Sequence, residues 1–186
     1  NKMAISVNLE GKRFMDEASY IAFSQSVDED SFPHWRGGAK YYSIVSDEIL
    51  SKLAAEGFAT TTWDGYNNQG TLPKETPVPE VYEAMDFAVE DGVAFKADSV
   101  EELAGMIGID AAALKATVDA YNKGAETGSD AEFGKAPEFL QKLGSAPFYA
   151  IEMHNATFGT CGGLDVDASM RVLKDDHTTP IDGLYA

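Results

Sequence analysis

Strand-forming segments stand at both ends of this chain, and its clearest helix signals lie between them. Near the start, Ala4-Ile5-Ser6-Val7-Asn8-Leu9 alternates apolar and polar residues with the period of a half-buried strand. Near the end, Phe148-Tyr149-Ala150-Ile151-Glu152-Met153 and Met170-Arg171-Val172-Leu173 are rich in strand formers. A sheet face must be buried against another element. The order therefore predicts one α+β domain, a small mixed sheet with packed helices, whose two ends lie side by side. Its 186 residues suffice for such a core.

The intervening signals are local. Glu10-Gly11 turns the opening strand, and Lys12 to Met15 is its predicted return. Tyr41 to Val45 reads as a buried strand. Ser46 caps a helix from Asp47 to Glu56, with two acids in its first turn and Gly57 ending it. Pro79 to Glu90 reads as a helix with Val81, Ala84, Met85 and Ala88 on one face, and Val93 to Lys96 as a short strand. Ser99-Val100-Glu101-Glu102 is a capping box for a helix that stops at Gly108. Asp110 caps the next, with Leu114, Val118 and Tyr121 in a stripe and an end near Gly124. A short helical turn is expected around Pro137 to Leu143. Residues 27–38, 58–76 and 126–135 read as loops, and Gly159 to Gly163 as a glycine-rich bend.

Charge narrows the function. Fourteen Lys and Arg against 31 Asp and Glu leave −17, about one negative charge per 11 residues. Such a surface repels phosphate backbones and anionic membranes, which excludes nucleic acid as a partner. No apolar run approaches the ~18 residues of a membrane span, and no basic-then-apolar stretch opens the sequence. Cytoplasmic and exported placements both remain open. The single cysteine, Cys161, excludes an internal disulfide framework. His34, His154 and His177 share no ligand spacing, so no metal site is predicted. Asp165-Val166-Asp167 opens like a calcium loop, but Met170 and Asp176 stand where glycine and glutamate are needed.

Three features carry candidate chemistry. Gly159-Thr160-Cys161-Gly162-Gly163 is either a tight turn or backbone pressed against a flat ligand. His34-Trp35-Arg36-Gly37-Gly38 mixes proton carriers, an aromatic and glycines; the alternative reading of Arg36 is a surface arginine balancing Asp28, Glu29 and Asp30. Glu17 alone reads as a solvated carboxylate, and Arg13 and Arg171 as structural residues in strand segments.

Three segments together resemble one family. Val7-Asn8-Leu9-Glu10-Gly11-Lys12-Arg13-Phe14-Met15-Asp16-Glu17, Ile107-Gly108-Ile109-Asp110 through Leu114, Val118 and Tyr121-Asn122, and the closing pieces Pro147 to Ile151, Thr160 to Leu164 and Pro180 to Ala186 are similar to the fumarate reductase and succinate dehydrogenase-like flavoproteins, the FAD-dependent oxidoreductase 2 group. Residues 18–98 match poorly. The resemblance implies the capping domain of a two-domain FAD oxidoreductase, a fragment of a longer, bacterial flavoenzyme. Residues 18–145 form the cap body, and 1–17 and 146–186 are flanking strands toward the absent FAD-binding domain.

The implied activity is hydride exchange between FAD and an activated C–C bond, with a protein acid supplying the proton. The implied cofactor residues are Thr160, Gly162 and Gly163, and the implied catalytic residues Arg36 and His34, with Glu17 as relay. Phe158 and Gly159 stand where fumarate-reducing members carry histidines, and no arginine lies between Arg13 and Arg36. A small neutral, aromatic or mono-anionic substrate is implied rather than fumarate, against aromatic walls from Trp35, Tyr41, Tyr42, Trp63 and Tyr66. Full-length protein is expected to hold FAD. The isolated fragment is expected to fold, to hold none, to be inactive, and to expose an apolar patch around residues 148–164 open to self-association. The alternative is a non-catalytic ligand-binding or interaction domain that keeps the cap fold.

Overall fold

The computed structural model describes residues 2–18, 37–58, 75–154 and 163–186. They form two compact units, residues 1–155 and 156–186.

The first unit is built on a four-stranded sheet of β1 (Ile5–Val7), β2 (Lys40–Ser46), β3 (Ala94–Ala97) and β4 (Phe148–His154), in the order β1-β2-β4-β3. Every pairing is antiparallel, with Ile5 opposite Ile44, Val7 opposite Tyr42, Ile44 opposite Ala150, and Ala97 opposite Phe148. The helices are α1 (Asp47–Glu56), α2 (Val81–Glu90), α3 (Val100–Ile107) and α4 (Ala111–Thr127), followed by a 3-10 turn at Pro137–Phe139. Sheet and helices share one core in which Ile5, Ile44, Ile49, Leu103 and Leu114 are fully buried. The α+β expectation holds. β1 and β4, from the two ends of this unit, flank β2 rather than each other.

Successive strand residues face opposite sides. Tyr42 and Ile44 join the main core, while Tyr41 joins Phe14 and Met15 in a smaller cluster, where Phe14 meets Tyr41 edge-on at 5.3 Å. A Cβ at Gly37 would run into the Phe14 ring, so a glycine is needed where the chain enters β2. Both tyrosines are therefore interior residues, as the buried-strand reading of Tyr41 to Val45 expects.

Caps place the helices. The Ser99 hydroxyl accepts from Glu102 N at 3.1 Å, while the Glu102 carboxylate reaches back to Asp98 N at 3.0 Å, one residue before the usual box partner. Asp110 accepts from Ala113 N at 2.8 Å. α4 continues past Gly124 to Thr127 and ends on the left-handed Gly128. Gly124 serves the return of the chain instead. Its carbonyl accepts from Ser129 N at 2.9 Å, and a Cβ there would press on the Ser129 carbonyl. α2 starts at Val81 and packs Val81, Tyr82, Met85, Ala88 and Val89 against the core, leaving Ala84 of the expected face exposed. The expected return strand at Lys12 to Met15 shrinks to one bridge, Val7 with Arg13, because the Asn8 side chain accepts from Glu10 N and Lys12 N and closes a tight loop.

The second unit is a two-stranded ribbon, β5 (Arg171–Leu173) and β6 (Pro180–Tyr185), with Arg171 opposite Tyr185. β6 goes beyond the segments read as strands, because Pro180, Asp182 and Gly183 dilute its pattern. Among the described residues no helix is long and apolar enough to cross a membrane.

Candidate functional site

Glu17 lies among the described residues, and it is not solvated. Its side chain is 4% exposed. Oε1 accepts from Ser6 N at 2.8 Å and Arg13 Nε at 3.1 Å, and Oε2 from Arg13 Nη2 at 2.9 Å. The Lys135 ammonium lies 3.0 Å from Oε2 and donates to the Ala4 carbonyl at 2.7 Å. Arg13 turns its other edge to Asp130, with bonds of 3.1 and 3.0 Å. The Tyr121 ring lies 5.0 Å from each cation.

Local sequence builds this cluster. Arg13 and Glu17 come from the segment after β1. Asp130 and Lys135 come from the loop after α4, where Asp130 also accepts from the backbone N–H of Glu132, Phe133 and Lys135 and so shapes the turn that delivers Lys135. Nothing in the composition of residues 126–135 separates Lys135 from a solvated lysine. An aspartate followed by a glycine turn, Asp130 before Gly134, was the available signal.

Two cations and two carboxylates balance, so the buried group carries no surplus charge. Burial opposes every charge here, and the partners outweigh it differently. It wins at Lys135, pushing the ammonium below the usual lysine range against the pull of Glu17. It loses at Asp130, where the Arg13 hydrogen bonds and charge hold the carboxyl below its ordinary 3.8, and at Arg13, held up by Glu17 and Asp130. Burial, then the Glu17 charge, raises the Tyr121 phenol. A carboxylate with four donors on two oxygens is an anchor: it fixes the start of the segment that runs on toward His34 and Arg36.

Acid sensitivity follows. Because the Asp130 pKa is depressed on folding, its contribution is present above about pH 3.8 and is lost as pH falls through the lower folded value. Unfolding free energy measured by urea titration should fall between pH 5 and pH 2, and Asp130→Asn should flatten that slope. An unchanged slope would show that Asp130 is not held as an ion.

The other candidates fall differently. His34, Arg36, Thr160 and Gly162 lie outside the described residues, as do Trp35, Trp63, Tyr66, Phe158, Gly159 and Cys161. Gly163 is exposed, and a Cβ built on it meets nothing within 4 Å, so open space lies beside its backbone. His154 ends β4, and His177 Nδ1 lies 2.6 Å from Asp165 Oδ2 in the ribbon. Among the described residues no group of three His, Cys, Asp or Glu is placed to hold a metal ion. The sheet does set two chain exits together. Lys40, where β2 begins, pairs with His154, where β4 ends.

Comparison with known proteins then decides the family. A family model described as an FAD binding domain matches residues 3–186. The chain belongs to this family of FAD-dependent oxidoreductases. The resemblance carried by Val7–Glu17, Ile107–Asn122 and Pro147–Ala186 is thereby borne out. This flavoprotein chain is 30% identical over 188 residues to vinyl phenol reductase of Lactiplantibacillus plantarum, covering 97% of itself and 34% of that protein. It is similar to the crystal structure of 3-ketosteroid Δ1-dehydrogenase from Sterolibacterium denitrificans in complex with 1,4-androstadiene-3,17-dione, at 29% identity and a TM-score of 0.59, over 98% of this chain and 32% of that one. The solution structure of a fumarate reductase flavoprotein subunit from Lactobacillus plantarum shares the fold, with 22% identity and a TM-score of 0.51 over 85% of this chain and 87% of that one. The flavoprotein chain thus spans about a third of the length of vinyl phenol reductase.

Proposed function

We propose that this chain is the substrate-capping part of an FAD-dependent reductase or dehydrogenase that acts on a C–C bond activated by a neighbouring ring or carbonyl, and not on fumarate. One observation carries the reading. Every strand pairing among the described residues is antiparallel. The doubly wound dinucleotide site needs a parallel sheet with a glycine turn opening a helix. The chain therefore offers the cofactor something other than a pyrophosphate cradle, which the remainder of the full-length protein supplies. Alone it holds no FAD and turns over no substrate.

The residues here fit a flat cofactor at one point. The open space beside Gly163 leaves its backbone approachable, and Thr160, Gly162 and Gly163 together would meet the isoalloxazine ring. Bound FAD supplies or takes up the hydride. Arg36 with His34 would deliver the proton to the substrate carbon in reduction and accept it from that carbon in dehydrogenation. Glu17 anchors the segment that carries them, and a relay role for Glu17 runs through Lys135, the neighbour whose charge burial weakens most directly. The relatives named for a vinyl phenol, a 3-ketosteroid and acrylate support a neutral, aromatic or mono-anionic substrate.

Full-length enzyme, reduced with a dye donor, should turn over 4-vinylphenol or a 3-ketosteroid far faster than fumarate. Fumarate reduction at roughly 10 s⁻¹ or more would overturn the substrate assignment. Gly162→Val should lose bound FAD, read from the visible spectrum. Unaltered FAD content and turnover would remove the glycine segment from the cofactor site.

A further inference from the structure

α2 presents two unlike faces. Tyr82, Met85 and Val89 pack against the core. Phe87 stands on the opposite face and is 68% exposed. The helix period puts Glu83 four positions before it, and Glu90 and Asp91 three and four positions after it, as its neighbours on that face. All three carboxylates are exposed. An aromatic ring thus sits in a frame of acids.

The outer face opposes folding rather than aiding it. Residues 75–95 hold no lysine or arginine, and among the described residues the ion pair made by α2 is Asp86 with Lys96 of β3, at 3.6 Å. Glu83 with Asp86, and Asp86 with Glu90, are like charges at helix-neighbour spacing, which lowers stability. Glu90 ends α2 and Asp91 caps it, at the pole where the helix carbonyls already gather negative charge. The inner face of the same helix breaks no such rule. Local rules broken together on one face mark a surface kept for another purpose. An arginine fits it. A guanidinium stacks on an aromatic ring and forks to carboxylates, whereas an ammonium is compact and strongly hydrated. A second copy of this chain, at −17, and any phosphate-bearing partner are repelled.

We propose that the outer face of α2 docks an arginine-rich segment of a protein partner, with a guanidinium stacked on Phe87 and forked to the carboxylates of Glu83, Glu90 and Asp91. Docking offsets the repulsion among the acids and takes the ring out of water. This interaction goes beyond the functional reading above and stands without it.

The probe is octa-arginine, titrated calorimetrically into the full-length, FAD-loaded enzyme in about 0.1 M salt, where exposed charges more than about 10 Å apart are screened from each other. Phe87→Ser should weaken binding about fivefold or more and leave Tm at the wild-type value. Glu90→Gln combined with Asp91→Asn should weaken binding by a similar factor and raise Tm, since both acids oppose the helix dipole. Glu101→Gln combined with Glu138→Gln removes the same charge from other exposed positions and should move Kd less than about twofold. Octa-lysine should bind about fivefold more weakly than octa-arginine, and Phe87→Ser should erase that difference. Absent binding of octa-arginine would overturn the proposal. So would binding indifferent to Phe87→Ser, or an equal loss from either pair of charges, because net charge alone would then account for the attraction. A lowered Tm in Phe87→Ser would overturn it as well, since the remainder of the enzyme would then cover this face.

Discussion

Arg13→Met is expected to destabilise this chain by about 3–5 kcal/mol, the usual consequence of removing one partner from a buried ion cluster. The guanidinium is 1% exposed and holds two carboxylates at once, Glu17 at 2.9 Å and Asp130 at 3.0 Å. Without it, two buried anions face the Lys135 ammonium alone, and two of the four donors on Glu17 disappear. Methionine fills most of the volume, so the loss reads the charge and not a cavity. Urea unfolding of the 186 residues followed by circular dichroism gives the number. Lys52→Ala is the control: its pair with Glu56 is 36% and 64% exposed, and its removal should matter by less than about 0.5 kcal/mol. If both substitutions shift the midpoint equally, the cluster is not the buried ion network described here.

Gly57→Ala should be nearly as severe, at about 3 kcal/mol or more. Gly57 ends α1 at φ 79 and ψ −164, a region in which essentially glycine alone rests, and its N–H donates to the Leu53 carbonyl at 2.9 Å. A Cβ would enter the Thr76 backbone. That strand of chain cannot retreat freely, because Glu75 N bonds Phe58 O at 2.8 Å and Val78 N bonds Leu53 O at 3.2 Å. Gly92 is the comparison: its φ is 77, but nothing lies within 4 Å of an added Cβ. Gly92→Ala should therefore carry only the conformational term, about 1–2 kcal/mol. Equal effects at the two positions would show that the approach of Thr76 adds nothing.

What was legible in the sequence was local. Tyr41 to Val45, Ser99 with Glu102, and Asp110 carry their strand or cap signals within a few residues, and β2, α3 and α4 begin where those signals place them. The family motifs were legible for the same reason. Readings failed where distant chain decides. Gly124 reads as a helix end until the returning Ser129 carbonyl is seen above it. Glu17 reads as a solvated charge and Lys135 as the end of a polar loop, because Arg13 meets Asp130 across 117 positions and Lys135 meets Ala4 across 131. Tyr41 and Tyr42 read as parts of one buried strand, and strand alternation sends them to different clusters.

The antiparallel order β1-β2-β4-β3 has a consequence for how the chain is made. β2 has its main partner in β4, and Ile44 faces Ala150, 106 positions later. At roughly 5–20 residues per second, synthesis leaves β2 waiting on the order of 5–20 s before that partner exists. During this interval α3 and α4, neighbours in sequence, can pair and bury Leu103 and Leu114, whereas Tyr42, Ile44 and Val45 present an unpaired apolar edge. The nascent chain is thus most exposed to chaperones and proteases along β2, and that exposure ends only when residues 148–154 have left the ribosome.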